Sequence, residues 1–233
     1  MKRYKAICFD LDDTLYDSSW HYEQGVKATF QTLHPELDAE AAFRLVKERT
    51  DQLWPIFEEG TIDLAEYRRL RFVTDPVLNK VFDEKMADAF HAHYMSIASN
   101  YIRPFEGLAE TMEELTKKHQ LAVITNGPAD AQWLKMQCLG IDSFIPEDRL
   151  FISGIIGAAK PHAAIFHHAL NELGVEPHEA IHIGDSYPHD AEGALAVGMD
   201  AVWLNRNGSV RDVHPQVRVI RELKELLPLL KAC

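Results

Sequence analysis

Two carboxylates, Asp10 and Asp12, stand two residues apart directly after the apolar run Tyr4–Phe9. If the chain turns there, both face one pocket. Close carboxylates repel, so such a pair needs a cation or a raised pKa. Magnesium meets that need with oxygen ligands and keeps places for water and a substrate phosphate. Asp13 adjoins the pair, and Thr14 adds a hydroxyl. Taken alone, the pair reads equally well as an acidic turn that caps a helix.

Three further clusters sit at ends of apolar runs or at helix mouths. Leu121–Thr125 runs into Asn126 and Gly127. A hydroxyl, an amide and a flexible backbone suit anion binding, and they suit a plain Asn-Gly turn as well. Lys160 precedes Pro161, a residue favoured at the first helical position. There a compact point charge pairs with carboxylates and phosphate, or stays a solvated surface lysine. Ala180–Gly184 runs into Asp185, a candidate metal ligand. Asp190 follows, placed to cap the next helix, to orient Lys160, or to do both.

The elements that must position these groups follow from the hydrophobic pattern. Short apolar runs at Tyr4–Phe9, Leu121–Thr125, Leu150–Ser153, Ala180–Gly184 and Ala201–Leu204 predict strands. From Glu106 onward they alternate with helical stretches: Glu106–His119, Ala129–Leu139, Pro161–Leu173, Asp190–Val197 and a closing Val219–Leu230. Such alternation implies a parallel sheet with right-handed crossovers, a doubly wound, Rossmann-like α/β core. Between the first strand and that run the pattern is helical throughout: Ser19–Leu33, Ala39–Glu58, Asp63–Phe72 and Pro76–Ser99. Asp63-Leu-Ala-Glu66 has the form of a capping box. The expected organisation is a core of residues 1–16 and 101–233 with residues 17–100 inserted as an all-helical domain.

Composition narrows the function classes. The 233 residues are 46% hydrophobic and 26% charged, an ordinary globular balance. A formal charge of −12 argues against a partner such as a nucleic acid polymer, which demands clustered Lys and Arg. A small anionic substrate needs only a few local donors and remains open. Three cysteines, Cys8, Cys138 and Cys233, cannot pair completely and suggest reduced thiols. The start does not read as a signal peptide, and no apolar stretch approaches the ~20 residues that span a bilayer. A soluble, cytoplasmic protein is expected.

The set Asp10-Leu-Asp-Asp-Thr14, Thr125-Asn126, Lys160-Pro161 and Gly184-Asp185 with Asp190 resembles the four motifs of the haloacid dehalogenase superfamily. The resemblance covers essentially the whole chain, and the helical insert resembles that superfamily's cap. It implies a phosphatase in which Asp10 is the nucleophile and Asp12 the general acid/base. Thr125, Asn126 and Lys160 would hold phosphate, and Asp10, Asp12 and Asp185 would hold Mg²⁺, with Thr14 and Asp190 in support. The implied partner is a small phosphorylated metabolite, and TNGP with WLNRNG resembles members acting on nucleoside monophosphates. Carbon–halogen hydrolysis on the same fold is disfavoured because such enzymes lack the second Asp, here Asp12. A phosphosugar mutase needs phosphate-binding residues in the cap that the sequence does not reveal. A silent binding module conflicts with the intact motif set. Arg68, Arg69 and Arg71 are expected on a solvated face of the insert, with reach to a substrate anion as the alternative. His189, inside the fourth motif, is expected in a solvated loop.

Overall fold

A computed structural model describes residues 4–72 and 83–231. Its elements are β1 (Ala6–Phe9), α1 (Ser18–Leu33), α2 (Ala39–Glu58), α3 (Leu64–Leu70), α4 (Glu84–Ile97), α5 (Leu108–Thr116), β2 (Gln120–Thr125), α6 (Ala129–Leu139), β3 (Leu150–Ile152), α7 (Ser153–Ile156), α8 (Ala163–Leu173), β4 (Ala180–Gly184), α9 (Gly193–Ala196), β5 (Asp200–Leu204), β6 (Val217–Ile220) and α10 (Leu226–Lys231). The chain divides into two compact units, Met1–Ser18 with Arg103–Cys233, and Ser19–Ile102.

The first unit is built on a six-stranded sheet of order β3-β2-β1-β4-β5-β6. All five strand pairs are parallel. Side chains alternate across a strand, so Ala6 and Cys8 face one layer and Ile7 and Phe9 the other. All four are fully buried. Cys8, Ala122 and Ile124 pack with Ile165, Phe166 and Leu170 of α8. A sheet covered on both faces explains why its strands read as unbroken apolar runs rather than alternating ones. The chain moves outward from β1 to β3, then returns to the other side of β1 for β4. Ligands in such sheets bind beyond the carboxyl ends of the strands at that reversal, here between β1 and β4. Asp10 and Asp185 are the first residues beyond those two strands.

Three expectations need correction in this unit. The closing helix expected over Val219–Leu230 does not start at Val219, which lies in the edge strand β6, and the helix is shortened to α10. Val217 and Ile220 are buried, and their β-branched side chains suit the pleated sheet better than a helix. Pro161 is not the first residue of a helix: α8 starts at Ala163, and the His162 ring accepts the Ala164 N–H at 3.2 Å as its cap. Asp190 belongs to a widened, π-type turn over Tyr187–Glu192 that leads into α9, instead of opening a regular helix. Widened turns of this kind recur at functional sites.

The second unit holds α1 to α4, with Val26, Phe30, Ala42, Val46, Phe72, Ala87 and Phe90 as its core. Asp63 caps α3 as expected: its carboxylate accepts the Glu66 N–H at 2.9 Å, and the Glu66 carboxylate accepts the Asp63 N–H at 3.1 Å. Trp54, Phe57 and Tyr67 pack on one another with ring centroids 5.1 to 5.6 Å apart. The expected start of the last helix at Pro76 lies outside the described residues, and so does Cys233. In the first unit, the segments flanking the insertion meet: Tyr16 bridges to Pro104, and the Phe105 N–H donates to the Leu15 carbonyl at 3.0 Å.

Candidate active site

β1 delivers Asp10 to the sheet edge with its backbone still tied down, its N–H donating to the Ile183 carbonyl at 2.8 Å. The chain then turns through Asp13, whose φ of 56° lies in the left-handed region. Asp tolerates that region better than most side chains, and its Oδ1 accepts the Ser18 N–H at 2.9 Å. The turn brings Thr14 back under the strand ends. Its hydroxyl lies 3.1 Å from Asp10 Oδ2 and 3.4 Å from Asp185 Oδ1, and accepts the Asp185 N–H at 3.1 Å. One buried hydroxyl thus ties the end of β1 to the end of β4.

Lys160 is buried at the centre. Its ammonium donates to Asp10 Oδ1 and to Asp190 Oδ1, each at 2.6 Å. Burial alone would push the ammonium's pKa down, but the two carboxylates outweigh it and keep the group charged. Asp190 is held further by His182 Nε2 at 2.9 Å and the Ser186 N–H at 3.0 Å. Burial would raise its pKa, but Lys160 and His182 hold it well below the usual carboxylate value. His182 itself is pushed down by burial, against the pull of Asp190.

Asp10 and Asp185 run the other way. Burial, together with Asp190 and Asp12, raises Asp10 despite Lys160. Burial and the Asp10 charge push Asp185 up to about 8. One oxygen from each of Asp10, Asp185 and Asp190 lies within 4.8 Å of the others. An all-carboxylate set fits a hard divalent cation such as Mg²⁺, which would offset the repulsion and burial that raise the proton affinity of Asp10 and Asp185.

The Asp12 carboxylate does not belong to that group. It turns instead to Lys135 on α6, whose ammonium lies 2.7 Å from Oδ1 and 2.9 Å from Oδ2. The Tyr16 hydroxyl donates to Oδ1, and Gln132 Nε2 stands 3.5 Å from Oδ2. Burial pushes the Asp12 carboxyl up, but Lys135 and these hydrogen bonds outweigh it and hold it below its ordinary value. Where a magnesium ligand was expected, the structure has a carboxylate already neutralised by its own lysine.

The Thr125 side chain is fully buried at the end of β2, where its hydroxyl accepts Gln132 Nε2 at 3.1 Å. Asn126 clamps the Lys160 backbone from both sides: its Oδ1 accepts the Lys160 N–H at 2.8 Å and its Nδ2 donates to the Lys160 carbonyl at 3.0 Å. It therefore positions a cation at least as directly as it could meet an anion. His189 is half-buried in the turn before Asp190. In the helical unit, Arg69 pairs with Asp88 at 2.7 and 2.8 Å, and Arg68 is half-buried on α3. Arg71 is not on a solvated face at all. It is buried, donates to the Tyr22 hydroxyl at 3.1 Å and lies 4.9 Å over the Tyr67 ring.

Five residues of this site went unnoticed in the sequence: Tyr16, Gln132, Lys135, His182 and Trp203, whose indole donates to the Asp185 carbonyl at 2.7 Å. Gln132 and Lys135 carried a usable signal, because they lie three apart on the helix after Thr125 and share one face.

The model of the haloacid dehalogenase-like hydrolase family matches residues 4–198. The chain is 32% identical to the glyceraldehyde 3-phosphate phosphatase of Methanopyrus kandleri over 220 residues, 91% of this chain and 88% of that one. It is 25% identical to human N-acylneuraminate-9-phosphatase, over 90% of this chain and 86% of that one. The magnesium-bound crystal structure of YfnB from Bacillus subtilis superposes with a TM-score of 0.82, covering 99% of this chain and 100% of that one at 24% identity.

Proposed function

Because the chain belongs to the haloacid dehalogenase-like hydrolases, we propose that it is a Mg²⁺-dependent phosphatase of small phosphomonoesters that works through an aspartyl-phosphate on Asp10. The observation that carries this reading is the buried Lys160 ammonium, 2.6 Å from both Asp10 and Asp190 at the β1/β4 reversal. An anionic nucleophile that must attack an anionic phosphate needs such a fixed positive charge beside it.

In the first displacement an Asp10 oxygen attacks phosphorus, the bond to the leaving oxygen breaks, and Asp12, entering as the carboxylic acid, gives that oxygen its proton and becomes the carboxylate that Lys135 holds. In the second, Asp12 takes a proton from water, the water oxygen attacks phosphorus, and the bond to Asp10 breaks. Lys160 and the Thr125 hydroxyl offset charge on the equatorial phosphate oxygens. Thr14 keeps Asp10 and Asp185 at fixed separation, and Asp190 with Asn126 keeps Lys160 in place. Mg²⁺, held by Asp10 and Asp185 with Asp190 in reach, would supply further positive charge at the phosphate.

All of these groups lie in the unit Met1–Ser18 with Arg103–Cys233. Residues 17–100 then serve as a cap that selects the substrate and performs none of the chemistry. Relatives named for a triose phosphate and for a phosphorylated sugar acid support a small hydroxylated phosphomonoester. A nucleoside monophosphate falls within that class, supported by the resemblance of TNGP and WLNRNG. The test is turnover of a panel of phosphorylated metabolites with Mg²⁺ and after EDTA. Metal-dependent release of phosphate that Asp10→Asn abolishes is expected, and full activity in a metal-free sample would overturn the mechanism.

A further inference from the structure

We propose that Lys135 is a positioning residue for Asp12, fixing where the acid/base of the reaction points. The proposal rests on the phosphatase reading above. Two lysines hold three of the carboxylates of the site. Lys160 takes Asp10 and Asp190, while Lys135 takes both oxygens of Asp12 alone. The Lys135 side chain is 16% exposed and that of Asp12 31%, so water screens this pair less than an ordinary surface ion pair.

The grip is directional. Lys135 comes from α6, above the end of β2, and Tyr16 comes from the turn after β1, its ring 5.9 Å from the ammonium. Gln132, one helical turn before Lys135, reaches Thr125 Oγ1 at 3.1 Å and Asp12 Oδ2 at 3.5 Å. Asp12 is therefore drawn toward α6 and out of the carboxylate group formed by Asp10, Asp185 and Asp190. An unheld Asp12 would swing freely two residues from the nucleophile and compete for the cation. Held by Lys135, the carboxylate presents its oxygens from one direction to the water of the second displacement. Misplacing a reacting group by about 1 Å costs on the order of 10²-fold in rate.

The experiment compares Lys135→Met, Lys135→Arg, Asp12→Asn and the Lys135→Met/Asp12→Asn double variant. Two substrates are used, p-nitrophenyl phosphate and an alkyl phosphomonoester that the wild type turns over. Lys135→Met should lower kcat on the alkyl substrate by about 10- to 100-fold, with KM little changed. Rapid quench with p-nitrophenyl phosphate should show phosphoenzyme formed at nearly the wild-type rate, followed by slow hydrolysis. Lys135→Arg should recover most of the loss, and Lys135→Met should add nothing on the Asp12→Asn background. An unchanged kcat in Lys135→Met, or the same fold loss on both backgrounds, overturns the proposal. Should Lys135→Met not fold, Lys135→Gln replaces it in the same cycle. Full alkyl turnover by Asp12→Asn overturns instead the assignment of Asp12 as acid/base, so the two failures are told apart.

Discussion

Asp190 lies directly against the backbone of Gly184, so close that a β-carbon on Gly184 would stand 2.5 Å from the Asp190 β-carbon. The last residue of β4 must be glycine for the Asp190 carboxylate to reach Lys160. Gly184→Ala should push Asp190 off the ammonium, with an overpacking cost of about 1–3 kcal/mol. Urea denaturation should show that loss, and kcat should fall further than Asp190→Asn alone lowers it. A Gly184→Ala enzyme with native stability and turnover would contradict the packing described here.

The two carboxylates of the first motif should separate by leaving group. Asp10→Asn removes the proposed nucleophile and should stop turnover of every substrate. Asp12→Asn should still form phosphoenzyme from p-nitrophenyl phosphate, whose leaving group needs little protonation, giving a stoichiometric burst. On an alkyl phosphate it should slow the first displacement by roughly 10²–10⁴-fold. Equal slowing of both substrates without a burst would show Asp12 to be structural.

Lys160→Met should leave Asp10 and Asp190 buried without their cation. Breaking a buried pair in this way costs about 3–5 kcal/mol. The pH dependence has a definite sign, worked out for protein in EDTA. Lys160 lowers the proton affinity of Asp190, so its pairing stabilises the fold above the carboxylate's unfolded pKa and is lost as pH falls. The deficit of Lys160→Met should therefore be full above pH ~4, the unfolded carboxylate pKa, and shrink as pH falls below it. Urea titrations across that range check it, and a pH-independent deficit would argue against the charge balance.

Cys8 should be chemically silent in the folded protein. It is fully buried on β1, and burial pushes its thiol up to about 12. Cys138 on α6 is exposed. Brief alkylation at pH 8 followed by peptide mapping should modify Cys138 and spare Cys8 until denaturant is added, since the thiolate is the reacting form. Native labelling of Cys8 would mean that β1 is not the buried strand described here.

The strand ends were legible because a sheet covered on both faces writes its central strands as unbroken apolar runs, and the polar residue after each run falls at the ligand edge. Asp10 and Asp185 are found that way, Thr125 as the last residue of its own run, and Lys160 and Asp190 join them through the turns that follow β3 and β4. Edge strand β6 was not legible: four residues, half exposed, followed at once by a Leu- and Glu-rich stretch with helical spacing. Gln132 and Lys135 share a helix face, but that face joins the site only once α6 is known to lie beside Asp12, and His182 and Trp203 read as parts of strands. Their roles depend on which strand lies beside which, a long-range fact that local periodicity does not carry. The burial of Arg71 is of the same kind, since it needs Tyr22 from α1 and Tyr67 from α3 to meet around one guanidinium.

The hydrogen bonds joining Leu15 and Tyr16 to Phe105 and Pro104 have a consequence for how such a protein can evolve. The catalytic unit closes its own chain at that point, and whatever lies between is, for the sheet, one long loop. Closure entropy grows only with the logarithm of loop length, so insertions of very different size cost the sheet nearly the same. Recombination at this seam can exchange one insert for another without disturbing Asp10, five residues upstream of Leu15. A chain in which a short Gly-Ser bridge joins Ser18 to Arg103 should accordingly melt as a cooperative unit on its own, and failure to do so would show that the sheet depends on its insert.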